Sequence, residues 1–495
     1  MKKGLLVLAV FVVLIRWFLL SQTQFIADDA LITYRYAENL VSGNGLVYNL
    51  GEKVLGTTTP LLTLLISLAV FAGIPAKIFA PGLNIFCDAL TACLIVFLFR
   101  RHFKAPYFGF FVAFLYAIFP TPWIWSISGM EVALYALCIL ASLYCFLEKK
   151  FSLSFLFLGL ALLTRIDALV LLVAILMTVV FTRQNLGWRP WLTLVLVLAP
   201  WLLISTWYYG SPVPNSVVAK KIFYGELPEF RSAPLEIVKG FIFGGKTNLV
   251  SNFYSFVMVI PFLLLLIFAL IGMVSLFQFG LAYLILPLWL GGYVVFFIVG
   301  KTHMHPWYFS PFYAVYTPLV GLGLFQVWKR LKFKPVVAAL VLIFSLAGFV
   351  YEGKTLVHFL GEYQKTENFL TEIAYWVKDQ TKEGDTVYYS DIGKLGYFSG
   401  RTILDSVGIV SPVVTQHYRN RNWMGPIEEV EPELVLFAET DFRLPEFLAN
   451  SELKKKYREI KRFDFKTSPY YTDAVYSASA SGVVFPEIII YAKNK

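Results

Sequence analysis

The chain has few charged residues and few cysteines for its length. Only 15% of its 495 residues are charged, whereas soluble domains carry roughly 25%. Because 58% of the residues are hydrophobic, much of the chain needs a solvent other than water, and the bilayer provides one. The cysteines all lie in apolar runs, which excludes a disulfide in the C-terminal region; they are Cys87, Cys93, Cys138 and Cys145.

Apolar runs long enough to cross a bilayer recur along the first 350 residues. They lie at 4–22, 81–99, 106–121, 131–147, 191–207, 253–273, 279–299, 309–327 and 335–350, with two shorter spans in 152–182. The run at 60–73 is too short to span and predicts an interfacial helix. We therefore predict a mainly α polytopic membrane protein with about eleven transmembrane helices. The first run, which follows Met1-Lys2-Lys3, is interpreted as a retained helix rather than a signal peptide.

The net charge of +10 first suggests basic cytoplasmic loops and not nucleic-acid binding. If 60–73 does not span, the basic segments fall on one side, which the positive-inside rule assigns to the cytoplasm. These segments are 2–3, 100–104, 148–150, 183–189 and 329–332. This topology predicts a cell-membrane protein with a cytoplasmic N-terminus. The first loop, 23–59, and the region 351–495 then lie outside the cytoplasm.

Residues 351–495 predict a soluble α/β domain that follows a transmembrane domain at 1–350. An amphipathic pattern indicates a helix at 366–380. Strands are predicted near 385–390, 433–438 and 486–492.

Two adjacent carboxylates, Asp28 and Asp29, directly follow the first apolar run. Acids at a membrane edge are costly to desolvate, and a raised carboxyl pKa suits proton abstraction. One interpretation is a general base whose neighbour positions an acceptor or a metal ion. The alternative is a solvated pair of acids that stabilises the start of the following helix.

Two cations are candidates for binding a phosphate. Arg35 lies on the helix that follows the aspartates, where it could hold a phosphate through two hydrogen bonds or form a surface salt bridge. Lys220 ends the segment GSPVPNSVVAK at 210–220, where it could meet a lipid phosphate or be an ordinary interfacial lysine.

Three further candidates lie near the ends of apolar runs. Glu131 begins a span, either as a functional carboxylate or as an acid favoured by the helix dipole. Arg165 and Asp167 interrupt an apolar stretch, and a structural ion pair is favoured there over direct catalysis.

In the C-terminal region, Asp391, Arg401 and Asp405 either recognise a polar acceptor or form turns and a domain ion pair, and the second interpretation is favoured.

The loop at 303–308 combines histidines and aromatic residues. His303 and His305 are two residues apart, but no third ligand is evident from the spacing, so we predict no metal site. A belt of aromatic residues at the membrane interface explains Trp307 and Tyr308.

The segment DDALITYRYAENLVSGNGLVYNLGEKVLGTTTPL at 28–61 resembles the first extracytoplasmic loop of the GT-C membrane glycosyltransferases. It is most similar to the branch that contains the mycobacterial terminal arabinofuranosyltransferases, in which an Asp-Asp pair precedes a Phe- or Tyr-Arg-Tyr helix and a Gly-x-Gly loop. The resemblance continues in the family's order with SGME at 128–131, LLTRID at 162–167, GSPVPNSVVAK at 210–220 and DIGKLGYFSGRTILDSVGI at 391–409.

The resemblance implies a GT-C-like bundle with an extracytoplasmic C-terminal α/β domain. It implies an inverting glycosyltransferase (EC 2.4 type) that takes a sugar from a polyprenyl-phosphate donor to a glycan or glycolipid acceptor. Asp28 or Asp29 would be the base, and Arg35, Lys220 and His305 would be candidates for binding the leaving phosphate. Glu131, Arg165 and Tyr308 complete the expected substrate-binding residues. The resemblance implies no particular cofactor, and a divalent cation is compatible with the family.

Two other classes of function are alternatives to glycosyl transfer. A transporter or flippase of lipid-linked or polar substrates predicts ionisable residues at mid-membrane and broken helices in both halves. The sequence offers Asp88 and the break at 164–167, but no matching second half. A scaffold or sensor with an extracytoplasmic tail does not require the Asp28-Asp29 pair.

Overall fold

The computed structural model of the chain describes residues 1–227, 232–243, 256–301, 303–331, 334–471 and 487–494. Most of these residues are helical, and one small sheet lies near the C-terminus. The start of the predicted span at 253–273 and the end of the basic segment at 329–332 lie outside the described residues.

The helices of the first half follow the apolar runs of the sequence. They are α1 (Lys2–Thr23), α2 (Asp28–Val41), α3 (Pro60–Phe71), α4 (Ala76–His102), α5 (Pro106–Ile118), α6 (Pro120–Ile127), α7 (Val132–Leu147), α8 (Phe151–Leu162), α9 (Leu169–Thr182) and α10 (Arg189–Tyr209). Prolines begin α3, α5 and α6, because the first helical position needs no backbone N–H donor.

The helices of the second half are of two kinds. Long ones continue the bundle, and short ones surround the sheet. They are α11 (Asn215–Glu226), α12 (Pro234–Phe243), α13 (Phe256–Ser275), α14 (Ile285–Gly300), α15 (Ser310–Arg330), α16 (Lys334–Gln380), α17 (Ile392–Ser399), α18 (Pro412–Tyr418), α19 (Gly425–Val430), α20 (Leu444–Ala449) and α21 (Ser451–Lys456).

Several of these helices are suited to a membrane by length and composition. Within the described residues, four are long and apolar enough to cross it, and α5 with α6, bent by 63°, can count as a fifth. Other predicted spans are apolar helices of 10–17 residues, among them α7 and α8. The predicted mainly helical, multi-pass membrane fold with a C-terminal α/β region is confirmed. The short α3 matches the predicted helix at 60–73.

The chain divides into two compact units. The first contains Met1–Gln24, Ile78–Trp201 and Ser232–His358. The second contains Phe25–Lys77, Leu202–Arg231 and Phe359–Lys495. The first loop, which we predicted as part of a domain at 1–350, thus forms one unit with the C-terminal region.

A buried ion pair joins three helices of the first unit. Arg16 on α1 and Asp88 on α4 lie 2.8 Å apart, and both side chains are almost fully buried. Tyr116 on α5 donates a hydrogen bond of 2.7 Å to Asp88, and Arg16 donates one of 2.6 Å to the carbonyl of Ala117. Asp88, which the transporter alternative invoked, is therefore neutralised by an arginine of the same unit.

The sheet of the second unit has five strands in the order β2-β1-β3-β5-β4. The strands are β1 (Thr386–Tyr389), β2 (Thr402–Asp405), β3 (Leu434–Ala438), β4 (Tyr457–Asp464) and β5 (Glu487–Lys493). β1 pairs with β2 and β3 in parallel, whereas β5 pairs antiparallel with β3 and β4.

Three of these strands match the predicted ones, and β2 and β4 were not predicted. β2 and β3 pair with opposite edges of β1. The strand order therefore changes direction at β1. Ligands of α/β sheets bind at such a reversal, beyond the carboxyl ends of the strands. Asp391 follows β1 at that edge.

Candidate active site

The Asp28-Asp29 pair begins α2, and its two members have different surroundings. The Asp28 carboxylate accepts hydrogen bonds from the backbone N–H groups of Gly393 (2.9 Å) and Lys394 (2.6 Å). These donors belong to the first turn of α17, where N–H groups have no partner within the helix. A Cβ atom at position 393 would collide with the Asp28 carbonyl, so this close approach requires glycine. Asp28 therefore caps a helix that lies more than 360 residues further along the chain.

Asp29 has no comparable partner. Its side chain is partly exposed, and within the described part of the chain it accepts no hydrogen bond and forms no ion pair. A carboxylate in this state keeps its lone pairs available for a substrate proton. The two neighbours thus differ in what they can do chemically, which the sequence alone did not reveal.

Further acidic groups surround the pair within the second unit. Asp391 follows β1 and accepts a hydrogen bond of 2.9 Å from Ser390. Glu367, on α16, forms a buried ion pair of 3.0 Å with Lys394. Burial, followed by the charges of Asp391, Glu367 and Asp29, raises the pKa of Asp28 well above its usual value. Burial is also the main reason why the pKa of Asp391 rises to about 6.

The sequence did not identify Glu367 or Lys394 as part of this group. Lys394 belongs to the segment DIGKLGYFSG that carried the family resemblance, and that is the signal that could have found it. Glu367 lies in an ordinary amphipathic helix and gives no such signal.

Arg35 is held inside the second unit rather than at its surface. Its guanidinium lies over the ring of Tyr48 at 4.3 Å and donates a hydrogen bond of 2.8 Å to the carbonyl of Arg401. Tyr48 in turn donates a hydrogen bond of 2.6 Å to the carbonyl of Ile392. These contacts connect α2 and the first loop to the first residue of α17 and to Arg401, just after that helix.

The first loop is also bonded to the sheet. The side-chain amide of Asn49 donates to the carbonyl of Ile403 and accepts from its N–H, both at 2.9 Å. Ile403 lies on β2, an edge strand, so Asn49 occupies the place of a strand residue at that edge. On α2, Glu38 accepts a hydrogen bond of 2.6 Å from Tyr397.

Lys220 lies on α11, which is anchored to the same unit. Asn215 at the start of α11 bonds through its backbone N–H to the carbonyl of Leu55 (2.7 Å). The Asn215 side chain donates to the carbonyls of Gly408 (2.7 Å) and Ile409 (3.0 Å). The Lys220 side chain is partly exposed, and the next residue, Lys221, is exposed.

Two candidate residues of the C-terminal region, Asp405 and Arg401, form hydrogen bonds within the protein. Asp405 is fully buried and accepts hydrogen bonds from the N–H groups of Val407 (2.8 Å) and Val410 (3.2 Å). Arg401 donates to Thr381 and to the carbonyls at the end of α16, each at 2.8 Å. Asp405 thus holds a turn, as the favoured interpretation expected, whereas Arg401 bonds to the end of α16, and among the described residues neither side chain forms the expected ion pair.

In the first unit, Arg165 lies between two carboxylates. It donates to Glu131 at 2.8 Å and to Asp167 at 2.9 Å. The Tyr308 ring lies 4.8 Å from its guanidinium, and Tyr293 donates to Asp167 at 3.3 Å. Three predicted substrate-binding residues, Glu131, Arg165 and Tyr308, are thus brought together, with the predicted Arg165–Asp167 ion pair among them.

His305 lies in an aromatic cluster of the first unit. Its ring stacks on Trp307 with centroids 4.4 Å apart, and His303 and Tyr308 flank it at 4.8 and 5.5 Å. Among the described residues, no group of three or more histidine, cysteine, aspartate or glutamate side chains could hold a metal ion.

The candidate residues therefore form two groups. Asp28, Asp29, Arg35 and Lys220 belong to the second unit, and Glu131, Arg165, His305 and Tyr308 belong to the first. The first group supplies a carboxylate available for proton transfer. The second group combines a cation with aromatic faces.

Comparison with solved structures identifies the class of fold. The crystal structure of ArnT from Cupriavidus metallidurans bound to undecaprenyl phosphate has a TM-score of 0.61 and 12% identity, with 99% of this chain and 98% of that chain covered. The structure of the same protein in the apo state gives 0.60 and 13%, with the same coverage. The chain therefore has an ArnT-like fold of the GT-C type, as predicted.

Sequence comparison adds one finding on the C-terminal region. A model described as a domain of unknown function (DUF8728) matches residues 358–480. A search of curated proteins found no match. The match begins one residue before Phe359, which is the first residue of the C-terminal segment of the second unit. The finer resemblance to the mycobacterial arabinofuranosyltransferase branch stays a prediction.

Proposed function

We propose that the chain is an inverting glycosyltransferase that takes a sugar from a polyprenyl-phosphate donor to a glycan or glycolipid acceptor outside the cytoplasm. The single observation that carries this proposal is the unequal state of the aspartate pair. Both side chains are partly exposed, but Asp28 is occupied as a helix cap, whereas Asp29 has no bonded partner among the described residues. The GT-C-like fold supports the reaction class.

Asp29 is the general base of this proposal. The acceptor hydroxyl attacks the anomeric carbon of the donor sugar while Asp29 takes up the hydroxyl proton. The bond between that carbon and the phosphate oxygen breaks, and polyprenyl phosphate leaves with the electron pair. Attack from the face opposite the leaving group inverts the configuration. The base must be ionised to accept a proton.

Asp28 and Asp391 have supporting roles. Asp28 fixes the start of α2, and so the position of Asp29, by bonding to α17. Asp391 lies at the carboxyl edge of the parallel strands, and its charge contributes to the raised pKa of Asp28. A carboxylate in this position suits hydrogen bonds to the hydroxyls of a sugar acceptor.

Lys220 is the residue that we expect to bind the leaving phosphate, because its side chain is partly exposed whereas that of Arg35 is buried. Lys220 lies partly exposed on α11 in the same unit as Asp29. A cation here would stabilise the negative charge that develops on the leaving group. The structure of ArnT with undecaprenyl phosphate supports a ligand of this type.

Two predictions about the donor and the topology complete the proposal. Glu131, Arg165, His305 and Tyr308 would contact the donor sugar through polar and aromatic groups. The basic segments would face the cytoplasm, with the C-terminal region outside. The transporter alternative is weaker because Asp88 and Asp167, its acids inside the bundle, are each paired with an arginine.

A transfer assay tests the proposal. Purified protein in liposomes would receive a panel of radiolabelled polyprenyl-phosphate sugars and cell-envelope glycan. We expect the parent and the control Asp379→Asn, which changes an exposed acid on α16, to move label into glycan. Asp29→Asn should not. Equal transfer by Asp29→Asn and the parent would refute the assigned base, and donor movement across sealed liposomes without transfer would favour a transporter.

A further inference from the structure

A basic groove lies in the first unit where α8 and α10 begin. Its volume is about 760 Å³. Its polar lining includes Lys149, Lys150 and Arg189, and its apolar lining includes Phe151, Leu153 and Trp188. None of the residues assigned to catalysis or donor binding belongs to it.

The two turns that line the groove are brought together by helix packing. Lys149, with φ +58°, reverses the chain between α7 and α8, and Gly187, with φ +66°, precedes α10. The rings of Phe155 on α8 and Trp191 on α10 contact edge to face at 5.1 Å. A Cβ atom at Gly159 of α8 would collide with the side chain of Val197 on α10. Both helices therefore begin side by side.

The charge of the groove is positive and is not neutralised by the described side chains. Lys149, Lys150 and Arg189 are exposed, and none of them forms an ion pair with a described residue. No acidic residue lies among those described as lining the groove. The adjacent acid, Glu148, is paired with Arg101 at 3.0 Å. The groove thus presents three cations to a ligand.

Apolar side chains surround these cations. Trp188 is 68% exposed, and Trp191 and Leu192 of α10 and Leu153 of α8 are also exposed. Both helices are apolar, and α10 is long enough to cross a membrane. Tryptophan beside cations at the end of such a helix is typical of the membrane–water interface. A matching ligand therefore has an anionic head and apolar tails.

We propose that this groove binds the headgroup of an anionic membrane phospholipid. The phosphodiester would meet Lys149, Lys150 and Arg189, and the acyl chains would lie along α8 and α10. Basic clusters at the end of membrane helices attract anionic lipids through such contacts. This site is independent of the proposed glycosyl transfer. It lies among the basic segments that we predict to face the cytoplasm, where the leaflet is anionic.

Lipid retention measures the site directly. The full chain would be incorporated in nanodiscs of equal parts phosphatidylglycerol and phosphatidylcholine, released, and analysed by native mass spectrometry. The groove variant is Lys149→Gln/Lys150→Gln/Arg189→Gln. Its matched control, Lys2→Gln/Lys3→Gln/Lys104→Gln, removes the same charge from exposed positions outside the groove. We expect the parent and the control to retain phosphatidylglycerol, and the groove variant to retain at least about tenfold less.

Three outcomes would overturn the proposal. Equal loss in the groove variant and the control would indicate a general charge effect. Displacement of the lipid by millimolar inorganic phosphate would indicate a site for a free anion. Retention of added polyprenyl phosphate in preference to phosphatidylglycerol would indicate a donor site. If the triple variant fails to fold, the single variants Lys150→Gln and Arg189→Gln replace it. Unchanged retention of phosphatidylglycerol in both of them would equally refute the site.

Discussion

The unequal aspartates give the sharpest prediction, because the same substitution at adjacent positions should have opposite consequences. In Asp28→Asn, one carboxylate oxygen becomes an NH2 group that faces the amide N–H of Gly393 or Lys394. Leaving such a donor without a partner costs about 1–3 kcal/mol. Loss of negative charge at the start of α17 costs about 0.3–1 kcal/mol more.

An opposing effect reduces this cost. Burial and the acids around Asp28 raise its pKa, so the neutral amide also relieves an unfavourable charge. We therefore expect a net loss of about 1–2 kcal/mol in the free energy of unfolding of Asp28→Asn. This corresponds to a fall of roughly 2–5 °C in apparent Tm. Asp29→Asn breaks no hydrogen bond with a described residue and should stay within about 0.5 kcal/mol of the parent.

Transfer activity should show the opposite order, with the larger loss in Asp29→Asn. Asp29→Asn should lose at least about 10²-fold in kcat, the usual contribution of a general base. Asp28→Asn should keep measurable transfer when assayed well below its Tm. The measurements are thermal unfolding in liposomes at one scan rate and kcat with saturating donor, with Asp379→Asn as the control. An inactive Asp28→Asn with an unchanged Tm, beside an active Asp29→Asn, would refute the reasoning.

Three further perturbations test other parts of the structure. Asp391 has a folded pKa of about 6, above its ordinary 3.8, so the folded state binds more protons than the unfolded chain between these values and stability falls as pH rises through them. Asp391→Asn should remove this fall and raise the apparent Tm at neutral pH; an unchanged pH profile of unfolding would contradict the shift. Lys220→Gln should raise the donor KM about tenfold or more through loss of a charge-assisted hydrogen bond, whereas Lys221→Gln should not, and equal KM values would remove Lys220 from the phosphate site. Arg16→Met leaves Asp88 buried without its cation and should cost about 3–5 kcal/mol, which Arg16→Met/Asp88→Leu should largely restore; thermal unfolding of the two variants distinguishes these outcomes, and equal instability would show that the ion pair is not the cause.

Local signals predicted the parts of the fold that depend on neighbouring residues. The apolar runs and the prolines that begin α3 and α5 indicated helices, and the strand-forming residues at 385–390 indicated β1. β2 was missed because Arg401, just before it, and Asp405, its last residue, were interpreted as turn residues, and β4 because mostly charged residues fill its exposed centre. Neither pattern differs from that of a loop.

The candidate site depends on pairings across hundreds of residues, and a single sequence does not contain them. Asp28 looked equivalent to Asp29 because the helix that it caps lies at 392–399. Arg35 was interpreted as a phosphate ligand or a surface salt bridge, yet it contacts Tyr48 and the carbonyl of Arg401. The break at 164–167 was predicted, since Arg165 and Asp167 are close in sequence.

The bonds from Asn49 to Ile403 bear on the solubility of the C-terminal region. β2 is an edge strand, and an unpaired edge invites another strand to add to it. Asn49 forms hydrogen bonds with both backbone groups of Ile403. At the opposite edge of the sheet, lysine and arginine side chains on β4 disfavour the addition of another strand. A fragment of 359–495 expressed without the first loop would leave β2 open to self-association. Light scattering of that fragment, with and without residues 25–77 fused to it, should show aggregates only in the shorter form.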